Sequence, residues 1–241
     1  MTAFTNFDPE EDIVEGNVAK NVTSTLFSIG STLSAFYTSS SQTGSARAAY
    51  YRDIYDKDPG TDTTAQVQFQ IAYGHYAGSG SALSTGASTG IQPTRAVYSQ
   101  FRNLLIENPS PNTKFTLGDN TVVDRAVFFT LNRARFKESI DVGNWTLTMT
   151  GSKGTTAGFK LTDDSPVSTG TTENGHKVYN VISGSVGDLH RTGSGEYVNW
   201  GKIYPELGII MLSGDRIFGT DAGLDHFNLN LGTVHGGALG L

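Results

Sequence analysis

The stretch from Val122 to Gly151, VVDRAVFFTLNRARFKESIDVGNWTLTMTG, is the longest dense run of large apolar residues in the chain, and it adjoins the tightest cluster of positive charge. Ala126, Val127, Phe128, Phe129 and Leu131 form a continuous apolar run, which periodicity alone assigns either to a strand buried on both faces or to a buried helical segment. The β-branched Val122, Val123 and Val127, the two phenylalanines and the lack of Gly or Pro favour the strand. Beyond it, Arg133, Lys137 and Ile140 recur at helical spacing, enough for one or two turns. Asp141, Val142 and Gly143 read as a turn with Gly143 free to take positive φ, and Trp145, Leu147 and Met149 then alternate with Thr146, Thr148 and Thr150 as a half-buried strand. The stretch is read as the middle of the core: strand, basic turn or short helix, tight turn, strand.

Such a core fits the rest of the composition. A chain of 241 residues holds one large or two small domains. Its 37% hydrophobic and 17% charged residues both fall below ordinary globular usage, and 29 Gly with many Ser and Thr fill the difference. That balance suits many short strands joined by turns. The formal charge of −6 speaks against generic polyanion binding, so no nucleic acid partner is expected, although a local basic patch is compatible with it. Without cysteine there is no disulfide scaffold, thiolate chemistry or Cys-ligated zinc. The start, MTAFTNFDPEEDIVEG, lacks a basic then apolar leader pattern, and nowhere do about 18 apolar residues run together, so the expectation is a soluble chain without secretory signal or membrane partner. Asn21-Val-Thr and Asn144-Trp-Thr match the glycosylation triplet and, without secretion, are read as chance.

In chain order, Asp8, Glu10, Glu11, Asp12 and Glu15 precede the first basic residue, Lys20. Residues 1–20 read as an acidic arm, either a solvated terminus or a segment that docks on a basic surface of a neighbouring subunit. VTSTLFS and STLSAFYT read as two strands around Gly30, and Ser39 to Ser45 as loop. Tyr50, Tyr51, Ile54 and Tyr55 fit a helix face or a strand, with the strand preferred. Val67, Phe69, Ile71 and Tyr73 alternate with Gln66, Gln68, Gln70 and Ala72 as a strand with one wet face, making an antiparallel hairpin with a long loop through Asp58-Pro59-Gly60. Tyr73 to Gly90, YGHYAGSGSALSTGASTG, is glycine-rich but holds no G-x-G-x-x-G, no Gly-Lys-Ser/Thr and no lysine for a phosphate, so it reads as a loop where backbone comes close to a neighbour, in this chain or another.

An amphipathic helix is expected at about 92–107, with Pro93 in its first turn and Val97, Phe101, Leu104 and Leu105 as its apolar stripe, while Arg95, Gln100, Arg102 and Asn103 face elsewhere. Pro109 and Pro111 end it. Lys114 to Leu117 is a short strand before the turn Gly118-Asp119-Asn120. SKGTTAGFKLTDDSPVSTGTTENGHK reads as an exposed excursion whose Asn174-Gly175 is a two-residue hairpin turn. Tyr197, Val198 and Trp200 begin a strand, Tyr204-Pro205-Glu206 bends it, and Gly208 to Leu212 is a second central-strand run. The fold class that follows is mainly β (α+β): antiparallel strands, one amphipathic helix packed on a sheet and an exposed hairpin or loop excursion. The organisation is an arm over 1–20, one β-rich domain over 21–218 and an extended glycine-rich tail over 219–241.

Catalytic constellations are not found. His75, His176, His190, His226 and His235 lie in five separate segments without a short ligand pair. Asp188 and His190 would share a strand face, yet between glycines they read as solvated loop residues. Asp215, Asp221 and Asp225 lack the calcium-loop order, no G-x-S-x-G elbow exists, and Asp163-Asp164 lies in polar loop text where nothing would raise a pKa. No cofactor, no metal and no catalytic residue is assigned. What remains is charge asymmetry: between Gln92 and Lys137 stand Arg95, Arg102, Lys114, Arg125, Arg133, Arg135 and Lys137 against Glu107, Asp119 and Asp124, whereas the first fifteen residues are acidic only. Such complementarity steers copies or a related partner into one orientation, or is satisfied within one subunit.

The phrases LFSIGSTLSAFYTSSSQTGS, YGHYAGSGS, AVYSQFRNLL, NRARFKESIDVGNWTLTMTG and WGKIYPELGIIMLSG together make the chain resemble virion structural proteins of T4-like contractile-tailed phages, particularly those of cyanobacteria, over roughly residues 20 to 215. The resemblance implies a tail or baseplate-associated assembly protein in repeated copies, with other virion structural proteins and copies of itself as partners, no cofactor and no enzyme activity. It implies assembly in the bacterial host cytoplasm. Contact candidates, chosen for the resemblance and for charge or backbone accessibility, are Arg133, Arg135 and Lys137; Tyr73, Gly74, His75, Gly78, Ser79, Gly80 and Ser81; Tyr204, Pro205 and Gly208; and Glu10, Glu11 and Asp12. The alternative reading is a β-sandwich carbohydrate-binding module, in which exposed Trp145 or Trp200 and tyrosines stack on sugars while loop aspartates hold calcium.

Overall fold

In the computed structural model, which describes residues 51–77, 94–136, 138–149 and 159–218, the central apolar run is a strand. The strands are β1 (Tyr51–Tyr55), β2 (Val67–His75), β3 (Phe115–Thr116), β4 (Val122–Val123), β5 (Arg125–Leu131), β6 (Leu147–Met149), β7 (Phe159–Asp163), β8 (Thr171–Glu173), β9 (His176–Ser185), β10 (Asp188–Leu189), β11 (Asn199–Tyr204) and β12 (Ile209–Ser213). The helices are α1 (Thr94–Leu105) and α2 (Gly214–Phe218), with a 3-10 turn at Arg133–Arg135. One sheet runs in the order β1-β2-β5-β12-β11-β9-β7-β6, with β8 and β10 also on β9, and β3 and β4 form a separate hairpin. The pairings are antiparallel throughout. The architecture is mainly antiparallel β, as composition and patterning led one to expect. No helix among the described residues is long and apolar enough to cross a membrane.

Register explains the core. Ile71, Phe129 and Ile210 are aligned across β2, β5 and β12, and so are Ala72, Phe128 and Met211 one residue on. Because side chains alternate across a strand, the first row feeds one apolar cluster and the second row another on the opposite face. The sheet curls around the first cluster, so that Trp145 and Leu147 meet Phe69, Phe129 and Ile210 around an apolar cavity of about 80 Å³. Helix α1 and the β3–β4 hairpin cover the second. All five residues of β12 are buried, as a central strand requires.

Two expectations about which face is wet are corrected. The glutamine face of β2 is only partly wet: Gln68 is 1% exposed and Ala72 5%, while Gln70 is half-buried, and α1 lies against this face at Gly74. The helix forms at the expected place and Val97, Phe101 and Leu105 of its expected stripe pack on the sheet, but its most buried face is turned toward Tyr98 and Arg102. Its buried positions are Thr94, Tyr98, Arg102 and Leu105, while Leu104 is 45% exposed. The cause is Gly74, whose missing side chain admits the helix backbone; a Cβ there would stand 2.9 Å from both Cα and N of Tyr98. Tyr98 then fills the interior, its hydroxyl donating to Val123 O at 2.7 Å and accepting from Phe115 N at 3.0 Å. Arg102 is carried inward with it and donates to Pro111 O at 2.7 Å, while Phe101 stacks on Phe128 with ring centres 3.9 Å apart.

The stretch expected to be an exposed excursion is also partly interior. Its residues Phe159–Asp163 form β7 within the sheet, paired with β9, and Leu161, Thr162, Asp163 and Asp164 are buried. Asp163 accepts from Gly143 N at 2.8 Å and from Ser165 N at 2.9 Å, closing two turns. Asp164 accepts from Asn180 N and Nδ2, yet burial pushes its carboxyl above the ordinary range, so the polar-loop reading of this pair was mistaken. The β8–β9 turn matches expectation, with Asn174 at φ 47° and Gly175 at φ 79°.

Gly74→Ala should lower stability by about 1–3 kcal/mol, the cost of overpacking a fixed helix–sheet contact, as urea unfolding will show. Burial, opposed in part by the Phe115 amide, pushes the Tyr98 phenol from 10.0 up to about 12. Because the folded pKa is the higher one, this contribution is complete below about pH 10 and is lost as pH rises toward about 12. Tyr98→Phe should therefore cost about 1–3 kcal/mol at neutral pH, and its deficit against the native chain should shrink through that alkaline window.

Candidate subunit-contact surface

The basic corner begins where β5 ends. Asn132, in extended conformation at φ −62° and ψ 124°, caps the 3-10 turn by accepting from Ala134 N at 3.0 Å. It also donates from N to Gln68 O and from Nδ2 to Val67 O, so the turn is fastened to β2. Phe136, 5% exposed, closes the other end: its ring lies where a Cβ of Gly208 would stand, and Gly208 holds φ at 67°. The guanidinium of Arg133 lies 4.5 Å from the Phe136 ring centre, and the side chain is exposed. Arg135, half-buried, donates through Nη2 to Gln66 Oε1, while its buried Nε has no acceptor among the described residues.

Neither arginine reaches a carboxylate among the described residues, in contrast to Lys114 and Arg125. Lys114 pairs with Asp124 at 2.8 Å and lies over the Tyr76 ring, and Arg125 pairs with Asp215 at 2.8 Å. Arg102 is spent on a backbone carbonyl. The corner is therefore two cations on a capped turn, with charge that no carboxylate among the described residues compensates. Lys137, the third expected member, lies outside the described residues, as do Gly78, Ser79, Gly80, Ser81, Glu10, Glu11 and Asp12.

The other expected contact residues are placed differently. Tyr73 is half-buried against the concave cluster, Gly74 is buried under α1, and His75 is half-buried with Nδ1 accepting from Ala77 N at 3.0 Å. Tyr204 is fully buried, and Pro205 and Gly208 are buried beside it. The expectation of an accessible surface at Gly74, Tyr204, Pro205 and Gly208 is thus corrected: a bend that looks exposed in sequence is roofed by Phe136 and by Ile140, whose N donates to Pro205 O at 3.0 Å. The tryptophans assigned to sugar stacking are not displayed either. Trp200 is 2% exposed and donates to Ser183 Oγ at 2.9 Å, and Trp145 packs on the concave cluster with its Nε1 buried and unpaired.

The sequence reading missed a half-buried charged network. Lys202 of β11 pairs with Glu173 of β8, and the other Glu173 oxygen accepts from Tyr204 OH at 2.7 Å. Burial, reinforced by the Glu173 charge, pushes the Tyr204 phenol far up. Only the alternation of Lys202 and Tyr204 on one face of a strand next to a hairpin hinted at it. Asp215, weighed for calcium, instead accepts from Asp124 N, Arg125 N and Arg125 Nε at 2.7, 3.0 and 2.8 Å. Asp188 and His190 approach to 3.5 Å with both side chains more than half exposed. No cluster of metal-ligating side chains occurs among the described residues.

Comparison of the chain with protein-family models, with curated proteins and with solved structures gives no match.

Glu173→Ala leaves Lys202, 11% exposed, and the Tyr204 hydroxyl without their acceptor, and should cost about 3 kcal/mol of stability. Lys202→Met in the same chain should recover part of that loss, which denaturation of the single and double variants measures as a coupling.

Proposed function

We propose that the chain is a virion structural subunit of a contractile-tailed phage, a tail or baseplate component that works through contacts with copies of itself and with other virion structural proteins. The observation that carries this reading is the basic corner, in which Arg133 and Arg135 stand on a capped, packed turn without a carboxylate partner among the described residues. Charge fixed at the end of a sheet and not neutralised by the described residues is suited to orienting a protein partner of opposite sign. The sequence itself holds such a partner in Asp8, Glu10, Glu11, Asp12 and Glu15. The likeness of its phrases to phage virion proteins supports the same reading, which asks for no cofactor, nucleic acid or membrane and places the protein in the virion after assembly in the host cytoplasm.

Arg133→Glu, Arg135→Glu and Lys137→Glu together should weaken self-association or co-assembly about tenfold or more, with the native interaction itself weakening as salt is raised. Sedimentation velocity on the folded triple variant provides the measurement, and unchanged assembly would remove the corner from the interface. Peptide mass spectrometry of purified virions tests the placement directly, since absence of the chain from every subassembly overturns it.

A further inference from the structure

The strongest unused feature is a polar cleft of about 370 Å³ on the helix side of the sheet, between the C-terminal end of α1, strand β3 and the β8–β9 hairpin. Its volume falls in the usual range for small-molecule sites, about 300–1,000 Å³. Lys202, Glu173, Lys114, Glu107, Thr113, Thr116 and Thr172 are among the residues that line it. We propose that this cleft binds a neutral polyhydroxylated ligand, a mono- or disaccharide, independently of the assembly role.

The Lys202–Glu173 pair has matched charges but hydrogen-bonding capacity left over, and Glu107 adds an exposed carboxylate to the lining. Lys202 has three N–H donors and directs one to Glu173, while the Glu173 carboxylate has about four acceptor positions and uses two, for Lys202 and Tyr204. These groups are partly withdrawn from bulk water, at 11% and 27% exposure, and face the cleft, where sugar hydroxyls can take the place of water on the leftover donors and acceptors. A free anion would have to compete with Glu173 for Lys202, and a free cation with Lys202 for Glu173. A hydroxyl competes with neither, since it donates to the carboxylate and accepts from the ammonium at once. Adjacent ring hydroxyls match the adjacent ammonium and carboxylate, and threonine hydroxyls along the wall accept or donate as the sugar requires. Lys114 is already neutralised by Asp124 at 2.8 Å and so adds no net positive field. Half-buried Ile106 supplies an apolar wall for the C–H face of a ring.

The test is titration of the isotope-labelled full chain with glucose, galactose, mannose, N-acetylglucosamine, maltose, cellobiose and lactose, followed by amide NMR. Saturable shifts at Thr113 to Thr116 and Thr172 to Asn174, with at least one sugar at millimolar concentration, are expected. Thr116→Val and Thr172→Val alter exposed side chains and leave the Lys202–Glu173 pair in place, and each should weaken that sugar about tenfold. Glu173→Gln, which keeps an acceptor for Lys202, should weaken it as well. No saturable shift with any of the sugars overturns the proposal. So do shifts produced by sodium phosphate or acetate alone, which would mark an anion site, and sugar shifts that survive both threonine variants unchanged.

Discussion

Strand β5 carries large apolar side chains on both faces, Val127 and Phe129 on one and Ala126 and Phe128 on the other. A strand of that kind is stable only when both faces are roofed and both edges are paired, and much of the structure can be understood as meeting that demand. Pairing with β2 and β12 fixes the register, and a slip of one residue would exchange the two cores, setting bulky side chains where α1 must lie. The small residues Ala72 and Gly74 are on the helix side and large ones on the concave side, so helix distance and sheet curvature both follow from the same alternation.

The connections that roof this centre bring polar backbone inside with them, and carboxylates satisfy it. Asp215 gathers two amides and a guanidinium at the start of β5, and Asp163 closes the turns at Gly143 and Ser165. Arg216 acts in the same way from the cationic side: it donates to Asn199 O, Asp119 and Thr121, tying α2 and β11 to the β3–β4 hairpin. Many of the charges, then, are consumed in holding the fold. The Arg133 and Arg135 corner departs from that pattern, as does Arg191 on the Tyr197 ring: it is held by a cap, a ring contact and a glutamine rather than by opposite charge among the described residues.

What the sequence disclosed and what it concealed divide along one physical line. Local chemistry was legible: the unbroken runs of β5 and β12, the Asn174-Gly175 turn and the extent of α1 all follow from residue type and spacing. Relations between distant segments were not. Val97, Phe101 and Leu105 of α1 pack as expected, but the burial of Tyr98 and Arg102 could not be read, because a glycine on β2, over twenty residues away, lets the helix backbone come close there. Asp163 and Asp164 read as loop because the strand that buries them is short and polar in text. The Glu173–Lys202 pair spans 29 positions and has no motif, and Tyr204 to Gly208 looked like an exposed bend because nothing nearby in sequence announces Phe136 as its cover.

Strand β9 has a property of a different kind. Its neighbours come in broken pieces: β7 pairs with residues near Ser183 and Val181, the chain departs after Asp164, and β8 resumes beside Val178. Likewise β10 starts opposite Ser185, and β11 rejoins opposite Ile182 after a detour that includes Gly193 and Gly195, where added side chains would meet open space. One long strand thus serves as a ruler against which interrupted partners are re-zeroed after each departure. Insertions or deletions in those detours change surface without shifting register, so this molecule can diverge in outline, and in whatever it touches there, while its interior stays fixed.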